Sequence, residues 1–99
     1  MTAIVTGASH GIGKVVALRL AAGGTNVVLC ARDATALQET AEAMQSPSRV
    51  MALDLRLPDS AAIVVNAAIE TFGTLDVLVN NAGATKRGDF ETLTDAGRL

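Results

Sequence analysis

The residue pattern with the clearest chemical meaning is a glycine-rich segment near the start of the chain. Residues 6–13 read TGASHGIG, which places Gly7, Gly11 and Gly13 in a G-x-x-x-G-x-G spacing. The segment lies between a short aliphatic run and a longer stretch with helical periodicity. Free N–H groups at the start of a helix point towards an anion, and the helix dipole favours negative charge there. The pattern therefore predicts a turn that holds phosphate groups, while a strand–helix turn without a ligand would show the same glycines.

Each of these glycines has its own physical role in a phosphate-holding turn. Gly7 lets the backbone turn tightly, Gly11 leaves room where a pyrophosphate would approach, and Gly13 lets the following helix lie close to the sheet. Two further groups of polar residues come directly after aliphatic runs. Asp54 follows one run, and residues 80–83, which read NNAG, follow the next. Neither group identifies a site alone, because a loop carboxylate and a simple turn would look the same.

The elements that must position these residues alternate along the chain. Short runs rich in aliphatic residues predict strands over residues 3–6, 26–31, 50–53 and 75–79. Longer stretches predict a helix over 12–22, a second helix capped by Asp33, and a third that starts near Pro58 and ends at Gly73. The order βαβαβαβ predicts an α/β fold with a doubly wound parallel sheet and right-handed crossovers.

The spacing of aliphatic residues also predicts which side of each helix faces the sheet. The predicted inner positions are Ile12, Val15, Val16 and Leu20 in the first helix, Leu37, Ala41 and Met44 in the second, and Val65, Ile69 and Phe72 in the third.

The composition excludes several classes of protein. The 99 residues include 8 Lys+Arg and 10 Asp+Glu, a net charge of -2, which argues against a nucleic-acid partner. Cys30 is the single cysteine, so no internal disulfide can form and a cytoplasmic location is expected. No apolar run approaches the ~18 residues of a membrane helix, and the N-terminus lacks the pattern of a signal peptide. The chain is predicted to form one domain at most, without a membrane partner.

With these motifs in order, the chain resembles the short-chain dehydrogenase/reductase family in its non-extended branch. The resemblance rests on the glycine-rich turn, on Asp54-Leu55 after the third strand and on residues 80–83 after the fourth, and it extends to about Asp95. It implies a Rossmann-type sheet and an NAD(P)(H)-dependent oxidoreductase that transfers hydride between nicotinamide and a carbonyl or alcohol. Residues 1–99 are then expected to form a partial NAD(P)-binding Rossmann domain, truncated after the fourth strand.

The resemblance implies a role for individual residues. The glycines would hold the cofactor pyrophosphate, with Ser9 and Ile12 in the same loop. Asp54 and the backbone of Leu55 would meet the adenine, and Asn80 would tie the fourth strand to the turn through Thr6. The implied cofactor-binding residues are Gly7, Ser9, His10, Gly11, Ile12, Gly13, Arg32, Asp54, Leu55, Asn81, Ala82 and Gly83.

The end of the second strand favours NADP(H) over NAD(H). NAD-preferring sites usually carry an acidic residue there, ~20 residues beyond the glycines, to bind the ribose hydroxyls. This chain has Ala31 at that position and Arg32 after it. An arginine presents a fork of donors that suits a 2′-phosphate. His10 occupies the loop position where NADP-preferring relatives often carry Arg or Lys, and it is a weaker indication for NADP(H) than Arg32.

The catalytic residues that the resemblance implies are missing from the chain. The family uses a Ser, a Tyr and a Lys, the last two in a Tyr-x-x-x-Lys helix, and this sequence has no tyrosine. Lys14 and Lys86 lie in the wrong elements. We therefore expect no catalytic residue here, and a truncation near Thr94-Asp95. A truncated sheet would have low stability and an open edge that promotes self-association, whereas the full-length parent is expected to be a homo-oligomer.

Other functions stay open at the level of sequence. The chain could be a non-catalytic dinucleotide-binding module, a partner that completes the sheet of another protein, or an inactive gene remnant. A methyltransferase also uses a glycine-rich turn after its first strand. That hypothesis requires an acidic residue in place of Ala31 and leaves residues 80–83 unexplained.

Overall fold

The computed structural model describes residues 1–81, and their elements alternate in the predicted order. The strands are β1 (Thr2–Thr6), β2 (Asn26–Ala31), β3 (Ser48–Ala52) and β4 (Val77–Val79), and the helices are α1 (Gly11–Ala22), α2 (Ala34–Glu42) and α3 (Ser60–Phe72).

The four strands of the described part form one parallel sheet in the order β3-β2-β1-β4. The chain moves outward from β1 to β3 and then crosses back to place β4 on the other side of β1. This reversal is the topological switch of a doubly wound sheet, and the predicted Rossmann-type class is confirmed. Within the described residues, β3 and β4 are the edge strands.

The two faces of the sheet carry different helices. Ile4 and Val28 belong to a buried cluster with α3, and Val5 and Leu29 belong to a second cluster with α1 and α2. Neighbouring residues of one strand thus pack against helices on opposite faces of the sheet. For this reason β1 and β2 are continuous apolar runs in the sequence. Cys30 is fully buried in the α3 layer, and burial raises the pKa of its thiol to about 12. It therefore stays a neutral core residue at ordinary pH.

The inner face of α1 differs from the predicted one. Ile12 is 72% exposed and Val15 is 55% exposed, so the prediction for these two residues is wrong. The buried residues are Gly13, Ala17 and Ala21, spaced four apart. Small residues on this face allow the helix axis to approach the sheet closely, and the larger side chains of the same helix are then turned outward. Val16 is half-buried, and Leu20 packs at the margin of the core.

The predicted features of α2 and α3 agree better with the structure. Asp33 caps α2 by accepting a hydrogen bond from the Ala36 N–H at 3.0 Å, and Leu37 is fully buried. Gly73 ends α3 in a left-handed conformation with φ of 81°. Val65 is buried as predicted, while Phe72 is half-buried against the same cluster.

The strand bounds differ from the predicted ones at β3 and β4, and β4 begins at Val77, two residues after its predicted start. At β3 the larger difference is at the N-terminal end. The strand begins at Ser48, two residues before the predicted start, and pairing already includes the Pro47 carbonyl, which accepts from Val27 N–H at 3.2 Å. Proline lacks a donor but keeps its acceptor, so Pro47 can precede β3 without interrupting the sheet. Helix α2 already ends at Glu42, before residues 46–48, which read SPS. In the part of the chain that the structure describes, no helix combines the length and apolar character needed to cross a membrane.

Candidate functional site at the carboxyl edge of the sheet

The parallel strands bring the loops that follow them to one edge of the sheet. The glycine-rich turn follows β1, Arg32 follows β2, Asp54 follows β3, and Asn80 and Asn81 follow β4. Because β1 and β4 lie side by side, the glycine-rich turn and the Asn80–Asn81 pair meet at the topological switch. In open α/β sheets, ligands bind in this crevice outside the carboxyl ends of the strands.

The glycine-rich turn leads directly into α1. Gly7 and Gly11 have φ of 65° and 57°, in the left-handed region that favours glycine. His10 is the residue before α1, and its side chain makes no hydrogen bond to the first turn. The first N–H groups of a helix have no acceptor within the helix itself. The start of α1 therefore presents N–H donors without a side-chain cap, an arrangement that suits an anion.

Gly13 makes the closest approach in this turn. A Cβ atom placed on Gly13 would overlap the Gly7 carbonyl oxygen and would lie 2.9 Å from the Asn81 Nδ2 atom. A Cβ atom on Gly7 would lie 3.2 Å from the same Nδ2 atom. Gly13 therefore lets α1 pack on the turn, and the Asn81 amide lies against both glycines.

Thr6 connects the ends of β1 and β4. Its hydroxyl oxygen lies 3.1 Å from the Asn80 Oδ1 atom and 3.4 Å from the Val79 carbonyl oxygen, and it accepts from the Asn81 N–H at 2.8 Å. The predicted contact between Thr6 and Asn80 is therefore present. It holds the loop after β4 against the glycine-rich turn.

A backbone contact and a side-chain contact hold the centre of the turn. The Ala8 N–H donates to the Cys30 carbonyl oxygen at 3.2 Å. The Ala8 carbonyl oxygen accepts from the Thr40 hydroxyl, also at 3.2 Å. Both contacts are buried beneath the turn, so the loop is fixed from β2 and from α2.

The loop after β3 presents an ion pair. Arg56 donates to Asp54 through its backbone N–H at 2.9 Å and its Nε at 3.0 Å, both to Oδ1, and through Nη2 to Oδ2 at 2.9 Å. The side chains are 27% exposed for Asp54 and 56% exposed for Arg56. The hydrogen bonds from Arg56, with a smaller contribution from the charge of Arg32, lower the pKa of Asp54 to about 2. Asp54 is therefore an ionised carboxylate with a fixed orientation.

The backbone of this loop is also held in place. The Ser60 hydroxyl donates to the Asp54 carbonyl oxygen at 2.6 Å, and the Leu55 side chain is buried. The turn at the end of β3 thus has little freedom, because its side chains and its backbone are anchored separately.

The remaining predicted site residues differ in exposure. Ser9 is half-buried, whereas His10, Gly11, Ile12, Arg32 and Asn81 are exposed at the carboxyl edge. Ala82 and Gly83 lie outside the described residues. Within residues 1–81, no three His, Cys, Asp or Glu side chains form a group that could hold a metal ion.

Sequence reasoning missed three residues that shape this site. Arg56, Ser60 and Thr40 each hold a loop that carries a predicted site residue. A signal existed for Thr40, since it is a polar residue three positions after Leu37, on the apolar side of α2. Arg56 also had a signal, because a cation two residues after Asp54 can return to that carboxylate.

Comparison with known proteins decides the family. The family model described as short chain dehydrogenase matches residues 1–97. The chain belongs to the short-chain dehydrogenase family. This agrees with the resemblance that the motifs predicted.

Individual short-chain dehydrogenases show the extent of the similarity. The 3-oxoacyl-(acyl-carrier-protein) reductase of Vibrio cholerae is 40% identical over 84 residues, which are 85% of this chain and 34% of that protein. The L-sorbose reductase of Gluconobacter frateurii, solved with NADPH and L-sorbose, has a TM-score of 0.77 at 37% identity, over 83% of this chain and 33% of that one. A short chain dehydrogenase from Mycobacterium paratuberculosis, bound to NAD, has a TM-score of 0.74 at 26% identity, over 83% of this chain and 36% of that one. The chain spans about a third of the length of the curated relatives it matches.

Proposed function

We propose that this chain binds NADP(H) as the dinucleotide-binding part of a short-chain dehydrogenase/reductase. One observation carries the proposal, namely the packing of Gly13 against Gly7 at the switch between β1 and β4. A side chain at Gly13 would separate α1 from the turn, so the arrangement keeps the helix N-terminus directly behind the loop. An anion on that loop would then lie at the positive end of the helix dipole.

The residues present fit a dinucleotide along the carboxyl edge. Gly7, Ser9, His10, Gly11, Ile12 and Gly13 would hold the pyrophosphate side, Asp54 and Leu55 the adenine, and Asn81, Ala82 and Gly83 the nicotinamide side. The Asp54 carboxylate suits the adenine amino group. Its Oδ1 atom accepts two hydrogen bonds from Arg56 and its Oδ2 atom accepts one, so Oδ2 keeps acceptor capacity for a ligand donor.

The residues at the end of β2 support NADP(H) over NAD(H). Ala31 offers no carboxylate to the ribose hydroxyls, and Arg32 is exposed beside it. Two acids near Arg32 could oppose a 2′-phosphate: Asp54, which is paired with Arg56, and Asp33, whose Oδ1 atom accepts from the Ala36 N–H at the start of α2. The two carboxylates balance the two arginines, so the preference depends on the place of Arg32 after β2 and on the missing carboxylate at Ala31. One solved relative contains NADPH and another contains NAD, so the relatives do not favour either cofactor. The proposed preference for NADP(H) therefore rests on Ala31 and Arg32.

The family reaction would be hydride transfer between nicotinamide and a carbonyl or alcohol, and the bound cofactor would supply the hydride chemistry. The 99 residues contain no tyrosine, so we propose cofactor binding by this chain and assign none of its residues to proton transfer. Its part is to bind the dinucleotide and to orient it at the carboxyl edge.

Titration of the chain with NADPH and with NADH, followed by cofactor fluorescence, tests the proposal. We expect saturable binding of NADPH and weaker binding of NADH. A Gly13→Val variant is the negative control, because its side chain would enter the space occupied by Gly7. Absence of NADPH binding by the folded wild-type chain would contradict the proposed function, and equal affinity for the two cofactors would contradict the NADP(H) preference.

A further inference from the structure

Thr40 makes a buried contact with the glycine-rich turn. It is not among the cofactor-binding residues that the sequence predicted. It lies in α2 with no exposed surface, and its Oγ1 atom is 3.3 Å from the Ala36 carbonyl oxygen and 3.2 Å from the Ala8 carbonyl oxygen. The contact with Ala36 is the ordinary bond of a helical threonine to the preceding turn. The contact with Ala8 crosses 32 positions of sequence and reaches the glycine-rich turn.

This contact fixes the plane of one peptide group in the turn. In a trans peptide the C=O and the following N–H point in opposite directions. Because the Ala8 carbonyl points to Thr40 beneath the turn, the Ser9 N–H points away from α2. The preceding peptide is fixed as well, since the Ala8 N–H donates to Cys30 on β2. Two successive peptide planes are thus oriented from below.

The chemistry of the position argues for a purpose beyond packing. A buried hydroxyl costs free energy unless it is hydrogen-bonded, and a valine would fill the same space without that cost. The bond to Ala36 alone would satisfy the hydroxyl. Its placement between Ala36 and Ala8 means that α2 also constrains the turn that leads into α1.

We propose that Thr40 is a positioning residue for the phosphate site and that it holds the Ser9 amide towards the cofactor pyrophosphate. The inference rests on the proposed dinucleotide binding and adds a residue from α2 that touches no ligand itself. It predicts a loss of affinity that is specific to ligands with phosphate groups, because the adenine is proposed to meet Asp54 and Leu55 in the loop after β3.

The test compares Thr40→Val, which removes the hydroxyl, with Thr40→Ser, which retains it, in the full chain. Thr35→Val is the matched control, because Thr35 is an exposed threonine of the same helix. The ligands are NADPH and adenosine, which carries the adenine but no phosphate. Affinity is measured by titration, and thermal melting of each variant reports its folding.

We expect Thr40→Val to weaken NADPH binding about fivefold, equivalent to ~1 kcal/mol, with unchanged affinity for adenosine. Thr40→Ser should restore NADPH affinity, and Thr35→Val should bind as the wild type does. An equal loss for both ligands, or no loss for either, would overturn the inference while the proposed function stands. Failure of the wild type to bind NADPH would remove the proposed function and this inference with it.

A measurement on the wild-type chain covers the case in which Thr40→Val does not fold. The Ser9 amide resonance is followed in a ¹⁵N–¹H spectrum during titration with each ligand. A shift with NADPH that is absent with adenosine supports the inference. If NADPH binds and the Ser9 resonance stays in place, the amide does not meet the pyrophosphate and the inference is wrong.

Discussion

Gly13 packs against the carbonyl group of Gly7 so closely that a Cβ atom at position 13 would lie 2.8 Å from the carbonyl carbon. The contact joins the first turn of α1 to the end of β1. It explains why the turn requires glycine at a position whose backbone conformation any residue could adopt. It also links the stability of the fold to the geometry of the proposed phosphate site.

The Gly13→Ala substitution should destabilise the protein by roughly 1–3 kcal/mol, the usual cost of inserting an extra methyl group into a closely packed site. It should also weaken NADPH binding, since α1 must move away from the turn. Denaturant unfolding and NADPH titration measure the two effects. Gly23→Ala is the control, because φ of Gly23 is -84° and a Cβ atom there would have ordinary contacts of 3.5 Å. Equal stability of the two variants would contradict the close-packing argument.

The Thr6→Val substitution should lower stability and cofactor affinity together. Thr6 accepts from the Asn81 N–H and contacts the Asn80 side chain, and valine can make neither bond. Leaving polar partners of a removed hydroxyl unsatisfied costs about 1–3 kcal/mol. Thermal melting and NADPH titration check the prediction, with Thr6→Ser as the variant that keeps the hydroxyl. If Thr6→Val melts like Thr6→Ser, the link between β1 and β4 does not depend on this bond.

The Arg32→Asp substitution should move the cofactor preference from NADPH towards NADH. A carboxylate after β2 would repel a 2′-phosphate and could accept from ribose hydroxyls. We expect the ratio of the two dissociation constants to change at least tenfold, which corresponds to ~1.4 kcal/mol. Arg19→Asp gives the same change in net charge near the far end of α1 and should leave the ratio unchanged. A similar shift in both variants would indicate a general charge effect instead of a contact at Arg32.

The ion pair between Asp54 and Arg56 predicts a pH-dependent contribution to stability. Arg56 lowers the pKa of Asp54 from 3.8 to about 2, so the folded state favours the ionised carboxylate. The contribution is therefore complete above pH ~4 and is lost as the pH falls towards 2. We expect the melting temperatures of the wild type and of Arg56→Gln to differ by a constant amount from pH 5 to 7 and to converge below pH 4. The effect should be modest, because the pair is exposed. A difference that persists unchanged at pH 2 would show that the arginine stabilises the loop without this pairing.

Much of the framework could be predicted from local patterns. The βαβαβαβ order and the position of the glycine-rich turn follow from short aliphatic runs separated by helical stretches, and the Asp33 cap and the Gly73 end of α3 follow from local chemistry. These features depend on neighbours a few residues apart, so the sequence contains their cause. The contact between Thr6 and Asn80 spans 74 positions, and it could be expected only because the family resemblance implied it.

The amino-acid sequence by itself determined the parallel α/β order, the glycine-rich turn and the absence of a carboxylate at Ala31 and of any tyrosine. Only the tertiary structure decided which face of α1 is buried, and that Thr40 and Arg56 hold the loops of the site. A prediction from helical periodicity places the largest apolar side chains on the buried face. A helix can approach a sheet closely, however, only where small residues lie between them. For that reason Gly13, Ala17 and Ala21 face the core while Ile12 and Val15 lie outside.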